Sequence, residues 1–231
     1  MTATRPETEM DMLEQLLKQR RSCRAFLPEP VPNALIHRLL SAAQRTASWC
    51  NSQPWQVVVT RGEGTRRLRE ALQAAVRERA APTPDFPFPR EYRGVYQDRR
   101  RESGFQLYGA LGIARGDKEA YAHQAARNFM LFDAPHVAIV TSDEALGTYG
   151  AVDCGAYVAN FLNAAEALGL GAIAQAALAM QAPVLREVLQ LDAERRVVCG
   201  ISFGLADKEH PANGFRTTRA AVDEAVRFID V

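Results

Sequence analysis

Arg20-Arg21-Ser22-Cys23-Arg24-Ala25-Phe26 places three guanidiniums and a hydroxyl within five residues. Arginines form charge-assisted, often two-pronged hydrogen bonds to phosphate oxygens, and a serine adds a neutral donor where a further cation would only repel. The same segment ends a helical stretch, so a solvated basic helix end answering the macrodipole is the competing reading. Arg216-Thr217-Thr218-Arg219 supplies a second Arg/hydroxyl cluster nearly two hundred residues later, and two such clusters could converge on one phosphate. Asn51-Ser52-Gln53-Pro54-Trp55 offers a different chemistry. Asn51 and Gln53 each carry a donor and an acceptor, the equipment for reading the edge of a heterocycle; a polar turn ahead of a core strand is the plainer alternative.

Two further motifs fail on context. Gly169-Leu170-Gly171-Ala172-Ile173-Ala174 matches the loose dinucleotide pattern G-x-G-x-x-A, but that motif must follow a strand and open a helix, and here the order is reversed. It reads as a helix stop followed by a strand. Gly200-Ile201-Ser202-Phe203-Gly204 matches G-x-S-x-G on a strand, so a serine hydrolase with Ser202 as nucleophile is an alternative. A nucleophile elbow requires a helix directly after it, yet the chain continues as a polar loop, and Asp207 and His210 lie too near in sequence to build a triad around.

Composition narrows the field. The 231 residues are 47% apolar and 24% charged, which suits a globular chain rather than a disordered or fibrous one. Lys+Arg 28 against Asp+Glu 27 leaves a net charge of +1, so no global field draws the chain to nucleic acid or an anionic membrane, and any basic site is local. Lysine occurs only at 18, 118 and 208, so nearly all the cations are arginines, which makes their positions informative. Cys23, Cys50, Cys154 and Cys199 are widely spaced with no C-x-x-C, the four histidines are scattered, and the N-terminus lacks the apolar run of a signal peptide. A reduced, cytoplasmic chain without a metal site is expected. The most membrane-like stretch, 157–180, is interrupted by Asn160, Asn163, Glu166, Gln175 and the Gly169-Leu170-Gly171 punctuation.

The elements that must position these residues alternate without repeats. Helices are expected over about 8–20, 33–46, 64–80, 90–113, 117–132 and 149–168, and strands over about 55–60, 136–141, 172–178 and 196–205. Residues 82–89 contain four prolines with Phe86 and Phe88 between them, which excludes helix and central strand and suggests an exposed loop or lid. Four strands among long helices predict a single α+β or α/β domain with a central sheet between helical layers. The tail 207–231 ends in Val222, Val226, Phe228 and Ile229, an apolar set too short to fold alone, for which a partner subunit is one support.

Together these pieces resemble the nitroreductase family of FMN-dependent oxidoreductases. Arg20-Arg21-Ser22-x-Arg24-x-Phe26 is similar to its N-terminal signature, Asn51-Ser52-Gln53-Pro54-Trp55 to its first-strand motif, Ala164-Ala165-x-x-Leu168-Gly169-Leu170-Gly171 to its helix-to-strand motif, and Arg216-Thr217-Thr218-Arg219 to its C-terminal arginines. Tyr108 to Ile113, Arg127-Asn128 and Phe132 to Pro135 further resemble a nitrobenzoate-reductase-like branch. The resemblance implies an α+β, three-layer α/β/α fold with a mixed, mainly antiparallel sheet, and a homodimer holding two FMN molecules at its interface. It also implies that Arg20, Ser22, Arg216 and Arg219 hold the phosphate, with Arg21 beside the ribityl chain and Arg24 at the pyrimidine end. A cation at that end would stabilise the negative charge that two-electron reduction leaves there. Ser48 and Asn51 would reach over from the facing subunit, and the backbone of Gln175, Ala176 and Ala177 would pass near flavin N5. Ala177 departs from the glycine common in one branch of the family, and Trp49-Cys50 from the small residues usual there, which bears on substrate preference. By the same resemblance NAD(P)H would reduce the flavin and leave, and a flat acceptor such as a nitroaromatic or quinone would then take the electrons in a ping-pong cycle. No side chain is then required as a catalytic acid, base or nucleophile. Residues 82–113 would form a lid insertion, with Phe86, Phe88, Phe105 or Tyr108 as candidates for stacking on the acceptor and plain packing as the alternative. Relatives of this fold with other flavin tasks, dehalogenation or flavin breakdown, remain the enzymatic alternative.

Overall fold

A computed structural model of the chain describes residues 8–230. Helix α1 (Glu9–Gln19) starts on a capping box in which Thr8 Oγ1 accepts from Asp11 N at 3.1 Å and the Asp11 carboxylate accepts from Thr8 N at 2.9 Å. There follow α2 (Asn33–Ala43), β1 (Gln56–Thr60), α3 (Glu63–Arg77), α4 (Val95–Ala110), α5 (Lys118–Ala126), β2 (His136–Asp143), α6 (Gly147–Ala167), β3 (Gly171–Gln175), α7 (Ala176–Ala179), α8 (Ala182–Leu189), β4 (Arg195–Gly204) and the single turn α9 (Val222–Ala225). The strands pair antiparallel in the order β1-β2-β4-β3. Past β3, Ser22 forms a parallel bridge with Ala172 and Phe26 an antiparallel one with Ala206, so residues 22–26 line the sheet's edge and make it mixed.

Period-two alternation along the strands assigns the faces. Ala138, Val140, Ile201 and Phe203 pack with Leu39 of α2 and Tyr157 and Phe161 of α6. Val137, Ile139 and Val197 pack on the opposite side with Leu68 and Leu72 of α3 and Leu185 of α8. A strand covered on both faces reads as a continuous apolar run, which is the pattern of β2. His136, at its start, is a core residue: Nε2 accepts from Val31 N at 2.9 Å, Nδ1 lies 3.4 Å from Thr60 O, and burial lowers its pKa. No helix among the described residues is long and apolar enough to cross a membrane.

Several expected boundaries move. The strand expected to run to Leu178 ends at Gln175, where a one-turn helix begins. The helix expected over 117–132 stops at Ala126, and it could not have run to 132, because Leu131 and Phe132 adopt φ of 58° and 51°, outside the α-helical region. Residues 90–94 precede α4 without helical structure, and α8, opened by Pro183, was not anticipated. The proline-rich 82–89 segment has no helix or strand, as expected, and it is pinned to the body of the protein. The nearly buried Asp85 carboxylate accepts from Val197 N at 2.7 Å and from Arg186 Nη2 at 2.9 Å, Thr83 N donates to Met180 O at 2.8 Å, and Phe88 packs against the α3–α8 core.

Candidate functional site

The two glycines of the misleading dinucleotide motif position the basic 20–26 segment. Gly169, at φ +72°, ends α6 in the left-handed conformation, which a side chain disfavours. Gly171 lets the 22–26 segment dock: a Cβ there would sit 2.8 Å from Cys23 Sγ and 3.0 Å from the Ala206 methyl, where Cys23 N now donates to Ala172 O at 3.0 Å. The basic segment is thereby fixed along the sheet edge as extended backbone.

Asn213, unremarked in the sequence, brings the second cluster to it. Its side chain is buried, with Oδ1 accepting from Arg24 N at 2.7 Å and Nδ2 donating to Ala25 O at 2.9 Å and Asp207 O at 2.7 Å. This amide ties the start of the tail to the 24–25 backbone, and the chain then carries Phe215 under the Arg24 guanidinium, 5.7 Å from its centroid. The available signal was an Asn-Gly pair in a Pro-containing loop, which reads only as a turn.

The result is a cleft of about 730 Å³ lined by Arg20, Arg21, Ser22, Arg24, Arg216 and Arg219, with Leu17, Ser103 and Phe215 among its other walls. Six residues expected to meet a phosphate-bearing ligand therefore do converge. None of the five arginines has a carboxylate within ion-pair distance among the described residues, whereas Lys18 at the rim is paired with Glu14. Burial lowers the Arg24 pKa, and Arg216 is lowered by burial and then by the neighbouring Arg21 charge. Arg21 Nε is buried with no hydrogen-bond partner. Like charges held together, with one donor orphaned, cost stability unless an anion completes them. The donor set thus fits a phosphate ester: planar N–H forks, a hydroxyl and surplus positive charge.

The remaining predicted residues lie elsewhere. Gln175, Ala176 and Ala177 follow the far end of β3, about 10 Å from Ala172 at 3.4 Å per residue. Ser48 and Asn51 lie before β1, on the other edge of the sheet and at its opposite corner, and do not line the cleft. They are ordered by a relay in which Trp55 Nε1 donates to Gln44 Oε1 at 3.0 Å, Gln44 Nε2 to Gln53 Oε1 at 3.1 Å, and Gln53 Nε2 to Asn51 Oδ1 at 3.2 Å. Ser48 Oγ accepts from Gln53 N at 2.9 Å. Cys50, Asn51 and Gln53 adopt φ of 51°, 54° and 48°, and strain of this kind concentrates at functional sites. Phe105 and Tyr108 have partners of their own: the Arg115 guanidinium lies 4.6 Å from the Phe105 centroid, and Tyr108 stacks on Tyr121 at 4.3 Å.

The hydrolase alternative does not survive. Ser202 is fully buried in mid-strand and donates to Gln175 Oε1 at 2.5 Å; the His210 ring accepts from Ala212 N instead of orienting a nucleophile. No base reaches the hydroxyl and no substrate can.

Known proteins give the same grouping. Residues 17–205 match the family model described as the nitroreductase family. Nitroreductase NfnB of Mycolicibacterium smegmatis is 37% identical over 217 residues, 93% of this chain and 92% of the relative, and a nitrobenzene nitroreductase of Ectopseudomonas oleovorans is 35% identical over 221 residues, 94% and 96% of the two. Among solved structures, the FMN-dependent nitroreductase NfnB from Mycobacterium smegmatis in complex with NADPH superposes with a TM-score of 0.91 at 35% identity, covering 96% of this chain and all of that one. With this sheet and this arginine cleft, the chain belongs to the nitroreductase family.

Proposed function

We propose that the protein is an FMN-dependent oxidoreductase that takes electrons from NAD(P)H and passes them to a flat acceptor such as a nitroaromatic. The observation that carries this is the cleft itself, where five arginines without carboxylate partners face one space with an orphaned Arg21 donor. Similar proteins described as FMN- and NADPH-dependent support the identity of the ligand. FMN, when bound, supplies the hydride acceptor and donor that no side chain here provides.

In this reading Arg20, Ser22, Arg216 and Arg219 grip the phosphate, Arg21 lies by the ribityl chain, and Arg24 stands at the pyrimidine end. Arg24 is fixed there by Asn213 and Phe215, so its charge is in place before reduction and needs no reorganisation. The roughly 10 Å of β3 between the arginines and Gln175–Ala177 is a span that a five-carbon chain between phosphate and ring covers. The small Ala176 and Ala177 leave room above N5 for a hydride donor, and the chain's part is to orient its reactants, while the protons that the reduced acceptor takes up come from water.

Ser48 and Asn51 cannot join the same ligand from their own chain, because they sit at the far corner of the sheet. A homodimer resolves this, with each chain's 48–51 turn completing the partner's site. Unpartnered apolar surface supports it: Met10, Leu13 and Leu17 along α1, and Val222, Val226, Phe228 and Ile229 in the tail. The buried free thiols Cys23, Cys154 and Cys199 agree with a reducing, cytoplasmic setting.

The test is the visible spectrum of the purified protein before and after anaerobic NADH or NADPH. Flavin bands that bleach are expected; a colourless protein that also refuses added FMN refutes the proposal. A colour that no reductant bleaches would leave a flavin-binding module without turnover.

A further inference from the structure

The serine that is not a nucleophile still has a place. Ser202 Oγ donates to Gln175 Oε1 at 2.5 Å, and Gln175 Nε2 donates to Asn128 O at 3.0 Å and lies 3.3 Å from Asn128 Oδ1. Ser202 and Gln175 are 0% and 2% exposed. Both ends of the Gln175 amide are therefore engaged, and a flip would turn its carbonyl against two acceptor oxygens, so a single orientation holds.

Asn128 is itself held in place. Its Nδ2 donates to Ala125 O at 3.0 Å, and it opens the turn in which Leu131, Phe132 and Asp133 lie in the left-handed region. Three consecutive residues with side chains adopt that backbone only when their surroundings impose it. Here the Arg127–Asp133 ion pair at 2.8 Å closes the turn, Arg69 donates to Met130 O at 3.1 Å and Ala134 O at 2.8 Å, and Leu131 and Phe132 are buried. The outcome of that constraint is a fixed pair of oxygens facing Gln175.

Gln175 is the last residue of β3, and the chain turns into α7 at Ala176. Ala174, Ala176 and Ala177 carry only methyl groups, and none of them is buried, so this step has one anchoring polar side chain, that of Gln175. We propose that Ser202 and Asn128 are positioning residues: by locking Gln175 from both sides they fix the height and tilt of the 175–177 backbone against the flavin ring. The inference rests on the reading above that this step lies beside flavin N5. Neither residue touches the reacting atoms; each acts through Gln175, and small displacements at a hydride-transfer site are costly.

The experiment uses the FMN-loaded protein and three variants, Ser202→Ala, Gln175→Met and Ser202→Cys, the last putting back a larger and weaker donor. Stopped-flow bleaching by NADPH without oxygen, at saturating FMN, should slow by at least about tenfold in the first two and recover in part in Ser202→Cys. In the Ser202 variants the FMN Kd, set by the distant arginines, should stay within about threefold. Independently of activity, amide hydrogen exchange across 174–179 should quicken in the ligand-free variants while exchange in β2 does not. Unchanged bleaching with only a lower thermal midpoint, or unchanged exchange at 174–179, overturns the proposal and leaves Gln175 as an ordinary buried amide. Bleaching that slows only in proportion to lost FMN overturns it as well. A wild-type protein that takes up no FMN is seen before any variant is made and removes the functional reading itself.

Discussion

Arg21→Met should move two quantities in opposite directions. In the ligand-free chain Arg21 carries a buried Nε without a partner, and burial and then the facing Arg21 charge lower the pKa of Arg216. An unsatisfied buried donor costs about 1–3 kcal/mol, and methionine keeps most of the apolar stem while removing the donor and the charge. The apoprotein should therefore unfold about 1–3 kcal/mol later in urea than wild type. FMN binding loses a charged hydrogen bond worth about 1.5–3 kcal/mol, a roughly tenfold to hundredfold rise in Kd. Urea titration of the apoprotein, followed by intrinsic fluorescence, gives the first quantity, and quenching of flavin fluorescence gives the second. An arginine that merely supports the fold predicts the reverse pair. Loss of apoprotein stability with unchanged FMN affinity would refute the reasoning, and with it the view that this cleft is strained to suit an anion.

Arg219→Ala, at the exposed end of the same cluster, should weaken FMN by up to about 1.5–3 kcal/mol in a fluorescence titration with little change in unfolding; unchanged affinity here and in Arg20→Ala would remove the phosphate assignment. Asn213→Ala removes three hydrogen bonds, leaving Arg24 N and Asp207 O without partners, and should cost about 2–4 kcal/mol in urea while weakening FMN, because Arg24 loses its tether; a loss under about 1 kcal/mol would contradict it. On the alkaline side, burial pushes Cys23 and Cys154 up to about 11 and Cys199 and Tyr157 up to about 12, from ordinary values of 9.0 and 10.0. Groups raised in the folded state stabilise fully below their unfolded pKa, so stability should fall as pH climbs from about 9 toward 12, and urea midpoints that stay flat to pH 11 would disprove it. Phe228→Glu with Ile229→Glu places charge on side chains 74% and 61% exposed in the single chain; light scattering should show a dimer shifted toward monomer, and an unaffected dimer would exclude the tail from the interface.

What could be read from the chain depended on whether the deciding interaction was local. The α1 start at Thr8 and the α6 stop at Gly169 are set by caps within a few residues, and both were legible. The end of β3 was not, because Ala172 to Leu178 is a short apolar run without a period, and the residue at which it ends, Gln175, is held by Ser202 and Asn128, both distant in sequence. The 131–133 turn was hidden for a related reason: no glycine or asparagine marks it, and Arg69 and Arg127 impose it from outside. In the cleft, residue types announced phosphate chemistry at both ends of the chain, but their meeting depends on Asn213, whose three bonds follow from nothing in its neighbourhood. The pinning of 82–89 by Asp85 escaped notice because prolines and phenylalanines suggest exposure, while one carboxylate reaching Val197 N and Arg186 decides the outcome.

The strained turns and the unpaired arginines belong to one design. Residues 50, 51, 53 and 131–133 hold backbone that side chains disfavour, and among the described residues none of the five guanidiniums that share the cleft has a carboxylate within ion-pair distance. Each costs folding stability, and each is held by bonds from elsewhere: the Trp55–Gln44–Gln53 relay, the Arg69 and Arg127 clamps, and the Asn213 tether. Side chains that merely filled a core would relax such strain, whereas a site that must hold a large, flat, anionic ligand in one pose gains by keeping it, since the ligand then completes the charge without the protein having to move. That accounts for the absence of an acid, base or nucleophile from the six residues that converge. The chain contributes fixed charge and fixed backbone, and the chemistry is carried by what they hold.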